Sequence, residues 1–304
     1  MKQSVKEILQ GLGVGASMTV PGVSGGTMAM ILGIYDRLVG AVSGVFKESK
    51  KQLPYLLRFA AGAVVGIFLV SGLIARALDS AAGVPLRFAF AGAVAGGVPL
   101  IFKKAELKRL NVKSTLLILA GAAAAVLIGQ LPEGAFAQQS GLTGILLQLL
   151  GGVIVAAALV LPGISASHMM LMLGIYEPVM EHVSRLELLP LLPLAAGVLT
   201  GTFVTARVLE RLLERHTQGC YLVILGFMAY SLVELAPAGA RGAELAVGLA
   251  CCVIGFAVIR LAVGERAAEE NHRNSLSRKG NYHNQCKRSQ IQTKADKKSH
   301  RYTI

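Results

Sequence analysis

The chain is 304 residues long, 54% hydrophobic and only 15% charged, with a mean hydropathy of +0.60. These values exclude an ordinary soluble domain and place it among polytopic membrane proteins, in which apolar runs of bilayer length recur. A formal net charge of +13 would suggest nucleic acid in a soluble protein, but here it points to Lys- and Arg-rich cytoplasmic loops and a basic tail, so no nucleic-acid partner is expected. Cys220, Cys251, Cys252 and Cys286 show neither metal-ligand nor disulfide spacing, and the six histidines are scattered, so no metal or other cofactor is expected. Three of the cysteines fall in apolar segments and read as small core residues.

At the N-terminus, Ser4 and Glu7 have the spacing of a capping box opening an interfacial helix. No small-residue cleavage site follows, so a cleavable signal peptide is not expected. An uncharged run then extends from Gly11 to Tyr35. Pro21-Gly22 breaks it, and Ser24 is placed to cap a new helix through Gly25, Gly26 and Thr27. A basic stretch carries Arg37, Lys47, Lys50, Lys51 and Arg58. Apolar segments follow at about Leu56–Leu78, Val84–Phe102 and Ser114–Leu131, with a basic loop between the last two.

The second half opens with an apolar run from Leu142 to Met172, broken at Pro162-Gly163. Segments at about Leu188–Val208, Tyr221–Leu235 and Leu245–Val263 complete it. Arg207, Arg211 and Arg215, interleaved with Glu210 and Glu214, read as the wet end of a helix. Tyr35, Tyr55, Tyr176 and Tyr221 read as interfacial anchors. Residues 265–304 are polar and basic, the composition of a disordered cytoplasmic tail.

The two breaks are copies of each other. Val20-Pro-Gly-Val-Ser-Gly-Gly-Thr27 runs on into Leu32-Gly-Ile-Tyr-Asp36, and Leu161-Pro-Gly-Ile-Ser-Ala-Ser-His168 runs on into Leu173-Gly-Ile-Tyr-Glu177. Further on, Ala61-Gly62 with Gly66 and Phe68 matches Ala196-Gly197 with Gly201 and Phe203. Internal duplication of this span is a common transporter plan. It divides the chain into a first membrane repeat (1–135), a second (136–264) and the tail (265–304).

If each broken segment enters and leaves on one side, each repeat keeps three crossings, and the second is inverted. With the N-terminus inside, all but Arg76, Arg87, Arg185 and Arg241 of the 30 Lys and Arg fall on the cytoplasmic side, as the positive-inside rule requires. The predicted fold is an all-α polytopic membrane protein. It is an inverted repeat, each half holding one re-entrant broken-helix hairpin, with limbs of about 10–15 residues, and three transmembrane helices. Both termini are expected in the cytoplasm.

Such an arrangement brings two helix N-termini, each worth about half a positive charge, to mid-membrane. Hydroxyls of Ser24, Thr27, Ser165 and Ser167 and the backbone at Gly25–Gly26 and Ala166–Ser167 would form an anion-binding cup, with His168 either a further donor to the anion or a buried hydrogen-bonded histidine. A phosphate unpaired in hydrocarbon would cost tens of kcal/mol by idealised estimates. Neither motif carries Lys or Arg, so binding should be weak enough for release. Asp36 and Glu177 end the hairpins near opposite surfaces, as solvated carboxylates or as gating or coupling groups.

Taken together, Pro21–Thr27 with Leu32–Asp36 and Pro162–Ser167 with Leu173–Glu177 resemble the PopT-type polyprenyl-phosphate translocases. The resemblance covers about residues 5–263. It implies a carrier of the cytoplasmic membrane that returns undecaprenyl phosphate for reuse in peptidoglycan and other envelope polymers. It also implies that Pro21, Gly22, Ser24, Gly25, Gly26 and Thr27 form one half of the substrate site, and Pro162, Gly163, Ser165 and Ser167 the other. Ala166 and His168 depart from that family's usual pattern, which has glycine and an apolar residue there. Two other classes compete: a membrane-embedded polyprenyl-pyrophosphate phosphatase, disfavoured because neither break, at 21–27 or 162–168, holds an arginine or an acid, and a small-anion secondary transporter.

Overall fold

The computed structural model describes residues 2–20, 22–106, 111–130, 141–185, 187–237 and 239–264. Pro21, the loop at 131–140 and the tail from 265 lie outside them. Every regular element among the described residues is helical. The first half consists of α1 (Lys2–Met18), α2 (Gly25–Ile31), α3 (Tyr35–Ser43), α4 (Ser49–Leu78), α5 (Gly83–Lys104) and α6 (Val112–Gly129). The second consists of α7 (Gly141–Val160), α8 (Ala166–Met172), α9 (Tyr176–Ser184), α10 (Leu192–Arg215, preceded by a 3-10 turn at Leu189–Leu191), α11 (Thr217–Leu235) and α12 (Ala243–Gly264). Long, seven-residue, nine-residue, long, long, long: the order repeats.

Each expected break is present, and the chain breaks a second time after the seven-residue helix that follows it. The cause is the shared Leu-Gly-Ile tail. Gly33 (φ +66°) and Gly174 (φ +71°) are left-handed, so the chain closes with a pair of Schellman bonds. Gly33 N–H donates to Met30 O at 2.8 Å and Ile34 N–H to Ala29 O at 2.9 Å; Gly174 N–H donates to Leu171 O at 2.9 Å and Ile175 N–H to Met170 O at 3.0 Å.

Among the described residues, seven helices are long and apolar enough to cross a membrane, where six crossings were expected. The seventh is α7. Its 20 residues exceed the short limb anticipated, because the apolar run from Leu142 meets no proline before Pro162.

Close packing of the long helices depends on glycine, since a Cβ would strike a neighbouring carbonyl. Between α1 and α4 the contacts are Gly11 on Phe59, Gly62 on Ile8 and Gly66 on Leu12; between α7 and α10 they are Gly152 on Leu194, Gly197 on Leu149 and Gly201 on Val153. Between α5 and α12, Gly92 meets Cys252 and Gly255 meets Ala89; between α11 and α6, Gly226 meets Ile118 and Gly121 meets Val223. Each of these contacts has its counterpart, with one offset in sequence for each pair of matching helices.

Several sequence expectations change on folding. Ser4 lies inside α1, and Glu7 does not close a capping box. It is buried and accepts from Arg37 (3.0 Å) and Arg58 (2.9 Å), joining α1 to α3 and α4. Glu210 turns inward to accept the Ser43 hydroxyl. Tyr35, Tyr55 and Tyr221 are buried and only Tyr176 is half-exposed, so three of the four anchors are core side chains. Cys220, Cys251 and Cys252 are free and half-buried. The main core gathers Val20, Met30, Tyr35, Ile101, Leu222 and Met228 around the first break, and a second surrounds Ile164, Met169 and Phe227.

Candidate functional site

The two breaks are built alike. Gly22 (φ +84°) and Gly163 (φ +86°) take the left-handed conformation that a side chain disfavours. After them, Ser24 and Ser165 adopt the extended geometry of N-caps. Ser165 Oγ accepts from His168 N–H at 3.4 Å and shares a 3.0 Å hydrogen bond with Ser167. Ser24 makes no such cap. Its hydroxyl crosses to the other motif and donates to Leu161 O at 3.4 Å.

Three further contacts tie the motifs together. Gly163 N–H donates to Thr27 Oγ1 at 2.8 Å, and Tyr35 OH donates to Val160 O at 2.9 Å. A Cβ on Gly26 would lie 3.1 Å from the Pro162 Cα. The expected meeting of residues 22–27 with 162–168 is therefore observed.

Burial divides the candidate residues. Ser24, Thr27 and Ser165 are sealed in the seam, with Gly22, Gly25, Gly26, Pro162 and Gly163, while Ser167 is exposed and His168 half-buried. His168 Nδ1 lies 3.4 Å from Oε1 of Glu234 on α11. The far end of the same helix holds Asp36: its Oδ1 accepts from Tyr221 OH at 2.7 Å, and its Oδ2 pairs with Lys104 Nζ. Glu177 is exposed and joins no ion pair among the described residues.

Helix α11 was read only as a crossing. It touches both breaks: Ser231 Oγ donates to Gly22 O at 2.8 Å, and Phe227 packs against Gly163. Glu234 is the one charged residue of a mostly apolar helix and Ser231 lies one turn before it, which was the available signal. Lys104 and Tyr221 gave none, because they meet Asp36 across 68 and 185 positions of sequence.

Residues 14–246 match the family model described as VCA0040-like: Undecaprenyl phosphate translocase-like. The chain is 31% identical over 277 residues to a polyprenyl-phosphate transporter of Staphylococcus aureus, covering 86% of this chain and 96% of that one. It is 29% identical over 249 residues to a polyprenyl-phosphate transporter of Vibrio cholerae, covering 75% and 76%. No solved structure matches it. Both relatives are named as transporters, in accord with a transport rather than an enzymatic role. With most of its length matched and its paired motifs inside the matched span, the chain belongs to the undecaprenyl phosphate translocase-like family.

Proposed function

We propose that this protein carries a polyprenyl phosphate, undecaprenyl phosphate in particular, across the cytoplasmic membrane, returning the lipid carrier for envelope synthesis. The observation that carries the reading is the contact between the two breaks, Gly163 N–H to Thr27 Oγ1 at 2.8 Å. It supports a shared site at two helix starts and their hydroxyls, in a chain whose relatives are named polyprenyl-phosphate transporters.

The two halves are inverted repeats and each break is the tip of a re-entrant hairpin, with both termini cytoplasmic. The recurring element order and the paired glycine contacts support this. So does the limb balance: the 17 residues of α1 face a return of seven plus nine in α2 and α3. The headgroup enters at Ser167 and His168, the accessible part of the seam, and the isoprenoid chain stays in lipid. Parting of the tips then frees the Ser24, Thr27 and Ser165 hydroxyls and the first-turn N–H groups for the phosphate. Glu234 competes with the phosphate for His168, which favours release over retention.

The test is reconstitution in liposomes, following exposure of labelled undecaprenyl phosphate to a phosphatase added outside. Wild-type vesicles should expose the inner-leaflet lipid, and the Ser24→Ala, Ser165→Ala double variant should not. Exposure no faster than in empty vesicles would overturn the proposal. Phosphate released from the pyrophosphate lipid by the protein alone would favour the phosphatase.

A further inference from the structure

The two halves share their internal packing but not their surroundings. In the first hairpin, Tyr35 is bonded to Val160, Asp36 to Lys104 and Tyr221, and α3 packs along α10. In the second, the matching tyrosine, Tyr176, is half-exposed and Glu177 fully so, and α9 has no comparable packing on α4. The base of one hairpin is fastened and the base of the other is not.

The glycine contacts show where a second fastening would form. Gly92 on Cys252 corresponds to Gly226 on Ile118, and Gly255 on Ala89 to Gly121 on Val223. One offset relates all these residues, and it carries Tyr221 of α11 onto Arg87 of α5. Both are the fifth residue of their helix. The motif offset carries Asp36 onto Glu177. The seat that holds Asp36's hydroxyl partner in one half thus holds an arginine in the other. By the helix offset, the sequence position matching Lys104 is an alanine, Ala238, so a positive charge for Glu177 would come from the Tyr221 seat. Arg87 is half-buried and, like Glu177, joins no ion pair among the described residues.

We propose that Asp36–Tyr221–Lys104 and Glu177–Arg87 are the two gates of an alternating-access cycle, the first closed in this structure and the second closing when the first opens. The proposal rests on the carrier reading above. In pseudo-symmetric transporters the halves exchange conformations between opposite-facing states, and a pair made in only one state sets the balance between them. Matching each acid with a cationic or hydroxyl partner keeps either state from becoming a trap.

The experiment uses the full chain with its four native cysteines replaced, carrying either Asp36→Cys with Tyr221→Cys or Glu177→Cys with Arg87→Cys, reconstituted in liposomes. Cross-linking with a short bis-maleimide should be high for the 36/221 pair at rest and fall as the 87/177 pair rises on adding undecaprenyl phosphate. In the 87/177 background, Tyr221→Phe should raise cross-linking about tenfold, the effect of losing one hydrogen bond to a charged group. Glu177→Arg should slow transport, and adding Arg87→Glu should restore it. Two cross-links that rise and fall together, or an 87/177 pair that never forms in protein that transports lipid, would overturn the gates. Reciprocal cross-linking without lipid movement would keep the gates and overturn the substrate instead.

Discussion

At the scale of single residues, the seam between the motifs rests on groups with no alternative partner. Thr27 is fully buried and its hydroxyl accepts the Gly163 N–H. Thr27→Val removes that acceptor and leaves a buried donor unmet, a loss of about 1–3 kcal/mol; Thr27→Ser retains it. Thermal unfolding in detergent should rank them wild type, Ser, Val. The four left-handed glycines of the motifs separate in the same way. At Gly163 a Cβ would lie 2.6 Å from the Phe227 carbonyl carbon, whereas at Gly33 nothing lies within 4 Å. Gly33→Ala should cost only the conformational strain of about 1–2 kcal/mol, and Gly163→Ala clearly more, to the point of low yield in the membrane fraction.

What was legible at this scale is the chemistry that is local. Ser24 and Ser165 could be read as caps because capping is decided within three residues. That Ser24 would leave its own helix for Leu161, or that Tyr35 would seek Val160, depends on the fold having brought those carbonyls near. The same is true of Glu7. Its spacing from Ser4 suited a cap, but two arginines 30 and 51 positions away offered a buried carboxylate more.

At the scale of elements, the first broken segment is fixed at its base as well as at its break. Glu7 is the shared acceptor of Arg37 and Arg58, whose side chains are 52% and 42% exposed. The carboxylate is buried but its partners are wet, so the pair sits between the surface and interior limits. Glu7→Gln should destabilise the protein by roughly 1–2 kcal/mol, less than a fully buried pair, and Glu7→Leu more, measured as the midpoint of unfolding. The Leu-Gly-Ile tail shows how a signal can be present and pass unread. Glycine at the position after a helix end, followed by an apolar residue, is a Schellman pattern. In an apolar run of membrane length it was taken only as evidence of duplication.

For the whole molecule, the pattern of charge and the pattern of breaks make one prediction about sidedness. If the hairpins re-enter, single cysteines placed at Lys47 and Glu106 should react with an impermeant maleimide from the cytoplasmic face. Cysteines at Gly141, Glu187 and Arg241 should react from the other face. Gly141 and Glu187 are decisive, because a break that crossed the membrane would put them on opposite sides. Length alone does not decide between the two arrangements, since α7 is as long as a spanning helix. Sequence supplied the duplication, through motifs that recur with their neighbours. The pairing of the late helices could not be read from it, because glycines at close contacts look the same whichever helix they meet.

That pairing has a consequence for how such a chain is made. The fifth helix of each half is matched by glycine to the sixth helix of the other, α5 to α12 and α11 to α6. Each half on its own would therefore hold two smooth, unfilled flanks, and a ribosome that has released only the first must wait for the last helix before α5 is covered. Cut between 131 and 140 and made as separate chains, the pieces should survive only when produced together, as though two identical ancestral subunits had once clasped by exchanging their final helix and were later joined.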